Sequence, residues 1–327
     1  MRVTFAEDAL RDPESWSHLD HILHAVEAGL HEWEIDDPDT LDQSPWLQGS
    51  NRPSLRKLFE QATVRGAYPS VDRLHRRLWV VSMKAAQGAL TPKVAAIFFN
   101  RPLAVLVENR FTDGLFLETV LAFLAPKPLR DFLDQCEGEP FRCDSGGGSG
   151  ELPKLIAAHV EEMATQGVPT RAVVFADSDA RYPTDVSQGA RKIAETCAQH
   201  AIGCLILSKR AIENYIPDEP LRRWVAEPAN RQLAPRVEAV CRLTAEQRDH
   251  LAMKKPYPPR INEAKERQLF ASVPEADVQI MRKHDAFDNT LIDVLRSHRH
   301  CLSAEALRRR DGSGELDRLV AMIAQAL

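Results

Sequence analysis

The sequence contains no CxxC pair, no GxxxxGK[ST] phosphate loop, and no apolar run approaching the ~20 residues that cross a bilayer. Each absence removes a class of protein. The six cysteines (Cys136, Cys143, Cys197, Cys204, Cys241 and Cys301) are scattered, so neither a zinc ribbon nor a disulfide framework is written here. They read as reduced thiols. Without GxxxxGK[ST] the chain carries no Walker-type ATPase. The glycine cluster GGGSG (146–150) misses GxGxxG because Glu151 stands at the last glycine position. The opening residues MRVTFAEDALRD lack the apolar core of a signal peptide. A soluble cytoplasmic protein with no membrane partner is the expectation, and no internal repeat is visible.

What is present is an ordinary globular composition. The chain has 327 residues, enough for two or three domains, and 44% of them are hydrophobic. A net charge of -5 does not advertise a nucleic-acid binder, but its distribution is uneven. Residues 1–50 hold twelve acids and two basic residues, whereas residues 51–100 hold nine basic residues and two acids. A local basic surface can therefore sit inside a mildly acidic protein.

Residues 1–100 read as a mainly helical region, offering a partner or oligomer interface. A helix is predicted over 12–33, with Asp12 as N-cap, Pro13 at its first position, and Leu19, Ile22, Leu23, Val26, Leu30 and Trp33 inward. His18, His21, His24 and His31 fall around it. A metal site at His18 and His21 is conceivable, but a solvated polar face is the stronger reading. A second helix is predicted over 70–87, with Val71, Leu74, Leu78 and Val81 inward and Arg73, Arg76 and Arg77 outward. From residue 100 strand-length apolar runs alternate with helical stretches. LAVLVE (103–108), FRC (141–143), RAVVFAD (171–177) and IGCLILS (202–208) read as strands. Helices fall at 114–125, 151–164 and 186–200. Repetition of this kind implies an α/β fold built on a parallel sheet of about four strands, flanked by helices. Residues 101–220 form this domain, and 221–327 read as a helical C-terminal region with a Pro-rich break at KKPYPPR (254–260) and Ser303 capping a helix at 304–310.

In an open parallel sheet, ligands bind beyond the carboxyl ends of the strands. Glu108 ends one apolar run and Asp177 another, with Asp179 two residues on. Side chains at i and i+2 of an extended chain share a side, so Asp177 and Asp179 face one volume and Ser178 faces away. If the strands are neighbours, Glu108 joins them. Crowded carboxylates repel, and a divalent cation relieves the repulsion; hard oxygen ligands select Mg²⁺ or Mn²⁺. A strand-end Asp can instead cap a turn or helix, and Asp113 is open between capping the helix at 114–125 and serving as a further ligand. The glycine cluster opens a helix and is a candidate phosphate cradle through Gly146, Gly147 and Gly148.

Four pieces in order, LVENRFTDGLFLETVL, CDSGGGSGELPKLI, VVFADSDA and LSKRAIENYIP, resemble the Toprim domain of OLD-family nucleases and related standalone phage-defence proteins. The resemblance covers residues 103–220, about a third of the chain. It implies a metal-dependent endonuclease that uses two ions held by Glu108, Asp177 and Asp179, with Asp113 and Glu213 as further ligands. Asn109 replaces the glycine that usually follows the first acid, and Asp113 lies five positions beyond Glu108 rather than four. A downstream lysine is also implied: Lys255 is taken as the catalytic one, with Lys254 and Lys209 as alternatives. Because such chains normally carry a fused ATPase and this one does not, a separate ATPase partner in an antiviral defence system is implied, and a homo-oligomer is possible. DNA and RNA (tRNA included) remain alternative substrates. A non-catalytic Toprim module that binds nucleic acid or protein is a further alternative. Strand joining or synthesis is the last: Tyr182 and Tyr215 are near the site but read as loop and packing residues, and no primase zinc ribbon is visible.

Overall fold

The computed structural model describes residues 1–49, 53–67, 77–84, 88–283, 287 and 289–327. Its strands form two parallel sheets of four. In the first, β1 (Arg2–Phe5), β2 (Glu32–Trp33), β3 (Leu78–Val81) and β4 (Ala89–Leu90) run in the order β2-β1-β3-β4. In the second, β5 (Leu103–Val107), β6 (Phe141–Ser145), β7 (Ala172–Ala176) and β8 (Gly203–Ile206) run in the order β6-β5-β7-β8. The α/β class and the four-stranded parallel sheet read from residues 103–208 are both present. The region beyond residue 218 is helical, interrupted over 251–263 around the Pro-rich segment.

The second sheet sorts its side chains by parity. All five residues of β5 are buried. Leu103, Val105 and Val107 join Val173 and Phe175 in one core, which also takes in the helix Thr112–Leu124 and the C-terminal helices. Ala104 and Leu106 join Val174 and Ala176 in a second core, closed by the helices Leu152–Thr165 and Gln188–Gln199. Period-2 alternation across a sheet covered on both faces forces this continuous apolar run, in which no position is left for water.

Residues 1–100 differ from the sequence expectation. The helix expected over 12–33 is a short turn, Pro13–Ser15, followed by the helix Trp16–Glu27. Gly29, at φ 74°, ends that helix: its N–H donates to Val26 O while Leu30 N–H donates back to Ala25 O. This paired bonding closes the last turn and needs a left-handed residue, which glycine supplies without cost. The chain then turns into β2, so Trp33 is a strand residue in a core with Phe5 and Trp46, not part of a helical stripe. Asp12 does cap the start, accepting from Glu14 N at 3.4 Å. The helix expected over 70–87 is also overturned where it can be followed. Leu78–Val81 is β3, and Trp79 and Val81 are its buried positions. Val71, Arg73, Leu74 and Arg76 lie outside the described residues. Arg77 is exposed, with its guanidinium 4.0 Å from the Trp79 ring centroid. Among the described residues no helix is long and apolar enough to cross a membrane.

Candidate active site at the carboxyl ends of β5 and β7

The order β6-β5-β7-β8 places a topological switch between β5 and β7. The chain leaves β5 toward β6 by way of the helix Thr112–Leu124 on one face, and leaves β6 and β7 by helices on the other. The crevice opened at such a point is where doubly wound sheets bind ligands. Glu108 follows β5 directly and Asp177 follows β7 directly, and the two strands pair in parallel through Ala104–Ala172, Val105–Val173 and Leu106–Val174. The two acids therefore flank the crevice. The main-chain N–H of Asp177 donates to the Glu108 carboxylate, while Glu108 Oε1 is buried without a partner. Burial first, and then the charges of Asp113 and Asp179, push the Glu108 pKa up to about 7. Asp177 accepts from Ile212 N at 3.0 Å. Its pKa is raised well above the carboxylate range by desolvation, with Glu213, Asp113 and Glu108 adding to the shift. Crowded acids at a strand-end rim are the situation the sequence predicts.

Asp179 arrives there by a different route. The strand ends at Ala176, and Asp179 has φ 53°, in the left-handed region, so residues 177–179 are not extended and the i, i+2 argument does not apply. A turn does the work instead. Ser178 is buried, donates to Lys209 O at 2.8 Å and accepts from Ala180 N at 3.2 Å, while Asp179 N donates to Arg210 O at 3.0 Å. These bonds hold Asp179 outward, exposed, and near enough to Glu108 to raise its pKa.

Asp113 and Glu213 complete the cluster. Both Asp113 oxygens are engaged locally: Oδ2 accepts from Asn109 N at 2.9 Å and Oδ1 from the Thr112 hydroxyl at 3.0 Å. This fastens the turn between Glu108 and the helix Thr112–Leu124; Asp113 lies within that helix, whose N-cap is Phe111, so it does not cap it. Burial and Glu213 still raise its pKa, against those two hydrogen bonds. Glu213 is 1% exposed. Its charge partner is Lys254, with Nζ 3.0 Å from Oε1 but out of hydrogen-bond alignment. Burial lowers the Lys254 pKa, but Glu213, Asp177 and Asp113 outweigh it and the net shift is upward.

The structure thus brings Lys254 to the acids, not Lys255, whose side chain lines the neighbouring cleft. Consecutive residues of a non-helical segment point apart, and the sequence could not say which one faced inward. Lys209 is committed elsewhere, in a buried ion pair with Asp249 at 2.7 Å. Asn214 stands in the LSKRAIENYIP piece of the sequence reading, which gave it no role of its own. It accepts from Ala211 N at 3.0 Å and donates to Arg248 O at 2.6 Å and Leu251 O at 3.0 Å. It thereby ties the Glu213 turn to the segment that carries Lys254. Tyr215 is buried and hydrogen-bonded to Glu315, with its pKa driven upward chiefly by burial, so it is a packing residue and no nucleophile. Of the histidines, His31 is buried and bonded to Phe99 O at 2.8 Å, and His21 and His24 are exposed.

The glycine cluster follows β6, beside β5, on the same rim. Gly147 and Gly148 have φ 92° and 130°, and Glu151 N and Leu152 N both return to Gly148 O at the start of the helix Leu152–Thr165. A Cβ at Gly146 would stand 3.1 Å from the Glu151 main chain. Above Gly147 and Gly148 a Cβ would meet nothing, so the loop offers an open main-chain surface. Near Glu108, Phe111 is 71% exposed, with the Arg110 guanidinium 4.7 Å from its ring centroid.

The donor set is all oxygen, and the uncompensated Glu108 oxygen suits a hard divalent cation. Among the described residues, however, no three His, Cys, Asp or Glu side chains are grouped so as to hold a metal ion. Lys254, paired with Glu213, supplies a positive charge that acts on Glu108, Asp113 and Asp177. No protein-family model, curated protein or solved structure matches the chain.

Proposed function

We propose that the protein is a metal-dependent phosphodiesterase acting on nucleic acid, of the Toprim type that the sequence resembles. The observation that carries the reading is the placement of Glu108 and Asp177 at the ends of adjacent parallel strands, with both carboxyl pKa values pushed up by burial and neighbouring acids. Glu108, Asp177 and the outward Asp179 are the groups that would hold Mg²⁺ or Mn²⁺. Such an ion lowers the pKa of bound water and neutralises charge on a phosphoryl oxygen. Asp113 and Glu213 hold the site's walls. Lys254 offers a cation to the oxygen that leaves. In hydrolysis a water oxygen bonds to phosphorus, the P–O ester bond breaks, and the water's proton ends on the departing oxygen or its partner base. The open glycine loop and the exposed Arg110–Phe111 pair suit a phosphate and a stacked base beside the scissile bond.

One observation favours a second reading. The lack, among the described residues, of three His, Cys, Asp or Glu side chains grouped so as to hold a metal ion fits a non-catalytic module that binds nucleic acid or protein. A single assay separates the two. Plasmid DNA and total tRNA are incubated with the protein and Mg²⁺ or Mn²⁺, with EDTA controls. Metal-dependent cleavage lost in Glu108→Gln and Asp177→Asn supports the enzyme. Equal cleavage by parent and variants, or none by the parent, removes it.

A further inference from the structure

A cleft of about 280 Å³ opens on the far side of the Asp177–Asp179 turn, against the Pro-rich segment 254–260. It shares a wall with the acids. Lys254 turns toward Glu213, while the next residue, Lys255, faces the cleft. Asp179 N–H is bonded to Arg210 O, and Ala180 O lies 3.2 Å from His250 Nδ1, so two cleft residues are bonded directly to the acid-bearing turn.

The lining is cationic and apolar together. Arg181, Arg210, Lys255 and Arg260 face only two carboxylates, Glu263 and Glu266. Arg181 is paired with Asp185 at 3.1 Å and Arg210 with Glu266 at 3.7 Å. Among the described residues, Lys255 and Arg260 are exposed and have no acidic partner. The rest of the lining includes Pro256, Pro258, Ile261 and the buried edge-to-face pair Tyr257 and Phe270, whose ring centroids are 5.9 Å apart. A ligand that suits both halves carries an anion at one end and a flat apolar body at the other. The volume sits at the lower edge of the ~300–1,000 Å³ that small-ligand sites occupy, and leaves no room for a folded partner.

We propose that this cleft binds one nucleotide unit: its phosphate on Lys255 and Arg260, its base against the Tyr257–Pro258 wall. The inference rests on the phosphodiesterase reading and deepens it, because Arg210 and His250 join the cleft directly to the turn that carries Asp179. Unpaired cations at a rim seize phosphate by charge-assisted hydrogen bonds, and an arginine adds a bidentate fork. An aromatic and proline wall accepts any base by its face, without reading sequence.

Calorimetric titration of the full chain in EDTA tests it, with adenosine 5′-monophosphate, adenosine and inorganic phosphate as probes. The monophosphate should bind at least tenfold more tightly than either fragment. The double substitution Lys255→Gln, Arg260→Gln should weaken it at least tenfold. Both residues are exposed, and an unchanged melting temperature would confirm the fold. No detectable monophosphate binding, phosphate binding as tight as the monophosphate, or an unaffected double variant would overturn the inference. Failure of the phosphodiesterase reading looks different: monophosphate still binds, and no substrate is cut with any metal.

Discussion

Glu108 ionises near pH 4.5 in an unfolded chain and near pH 7 in the folded one. Between those values the folded protein holds a proton that the unfolded chain has already released. Its contribution to stability is therefore unaffected below pH 4.5, falls as pH rises toward 7, and stays at its lowest above that. Glu108→Gln removes the titration. In EDTA the variant should melt at a higher temperature than the parent at about pH 8, and the difference should shrink to nothing near pH 4.5. Thermal melts across that range read it directly. A variant less stable than its parent at high pH would mean that Lys254 compensates the carboxylate more fully than its burial suggests. Loss of cleavage with gain of stability is the pairing expected of a group kept for function against its own solvation.

The glycine loop between β6 and the helix Leu152–Thr165 makes a sharp prediction at the scale of the element. Gly148 at φ 130° cannot accept a side chain without backbone strain of roughly 1–3 kcal/mol, whereas Gly150 meets nothing and has ordinary geometry. Gly148→Ala should lower the unfolding free energy read from a urea titration by that order, and Gly150→Ala should leave it nearly unchanged. At this scale the sequence was readable where burial was complete. LAVLV and AVVFA are covered on both faces, so they appear as unbroken apolar runs, and their carboxyl ends point to Glu108 and Asp177. β2 and β4, two residues each, are too short to carry a period. Leu78 and Val81 fall at helical spacing from Leu74 by coincidence, which hid β3. The Gly29 turn had a signal, a glycine after an amphipathic run, and it was passed over. Asp179 could not be placed because its turn depends on carbonyls of residues 209 and 210, thirty positions away. Lys254 was indistinguishable from Lys255 for want of any regular structure between them.

Across the whole molecule the C-terminal helices are fastened to the floor of the site by buried charge. Asp249 lies between Lys209 at 2.7 Å and Arg310 at 2.6 Å, and both cations are nearly buried. Nearby, Glu315 at the start of the last helix accepts from Ser208 N at 2.8 Å and from its hydroxyl at 2.6 Å. Asp249→Asn would remove the carboxylate that both enclosed cations contact directly. Removing one member of a buried pair costs about 3–5 kcal/mol, and denaturant titration should find a loss of that size. The same architecture makes the two sides of the crevice unequal in stiffness. β5, sealed on both faces, gives Glu108 a fixed footing. Asp179 stands outside regular secondary structure, on a turn with two non-glycine residues at positive φ, Asp179 and Thr184. One jaw is an anvil and the other a spring, so accommodation to the shape of whatever enters falls to the aspartate side. Differences in substrate tolerance among variants will then trace to residues 178–187 rather than to the strand opposite.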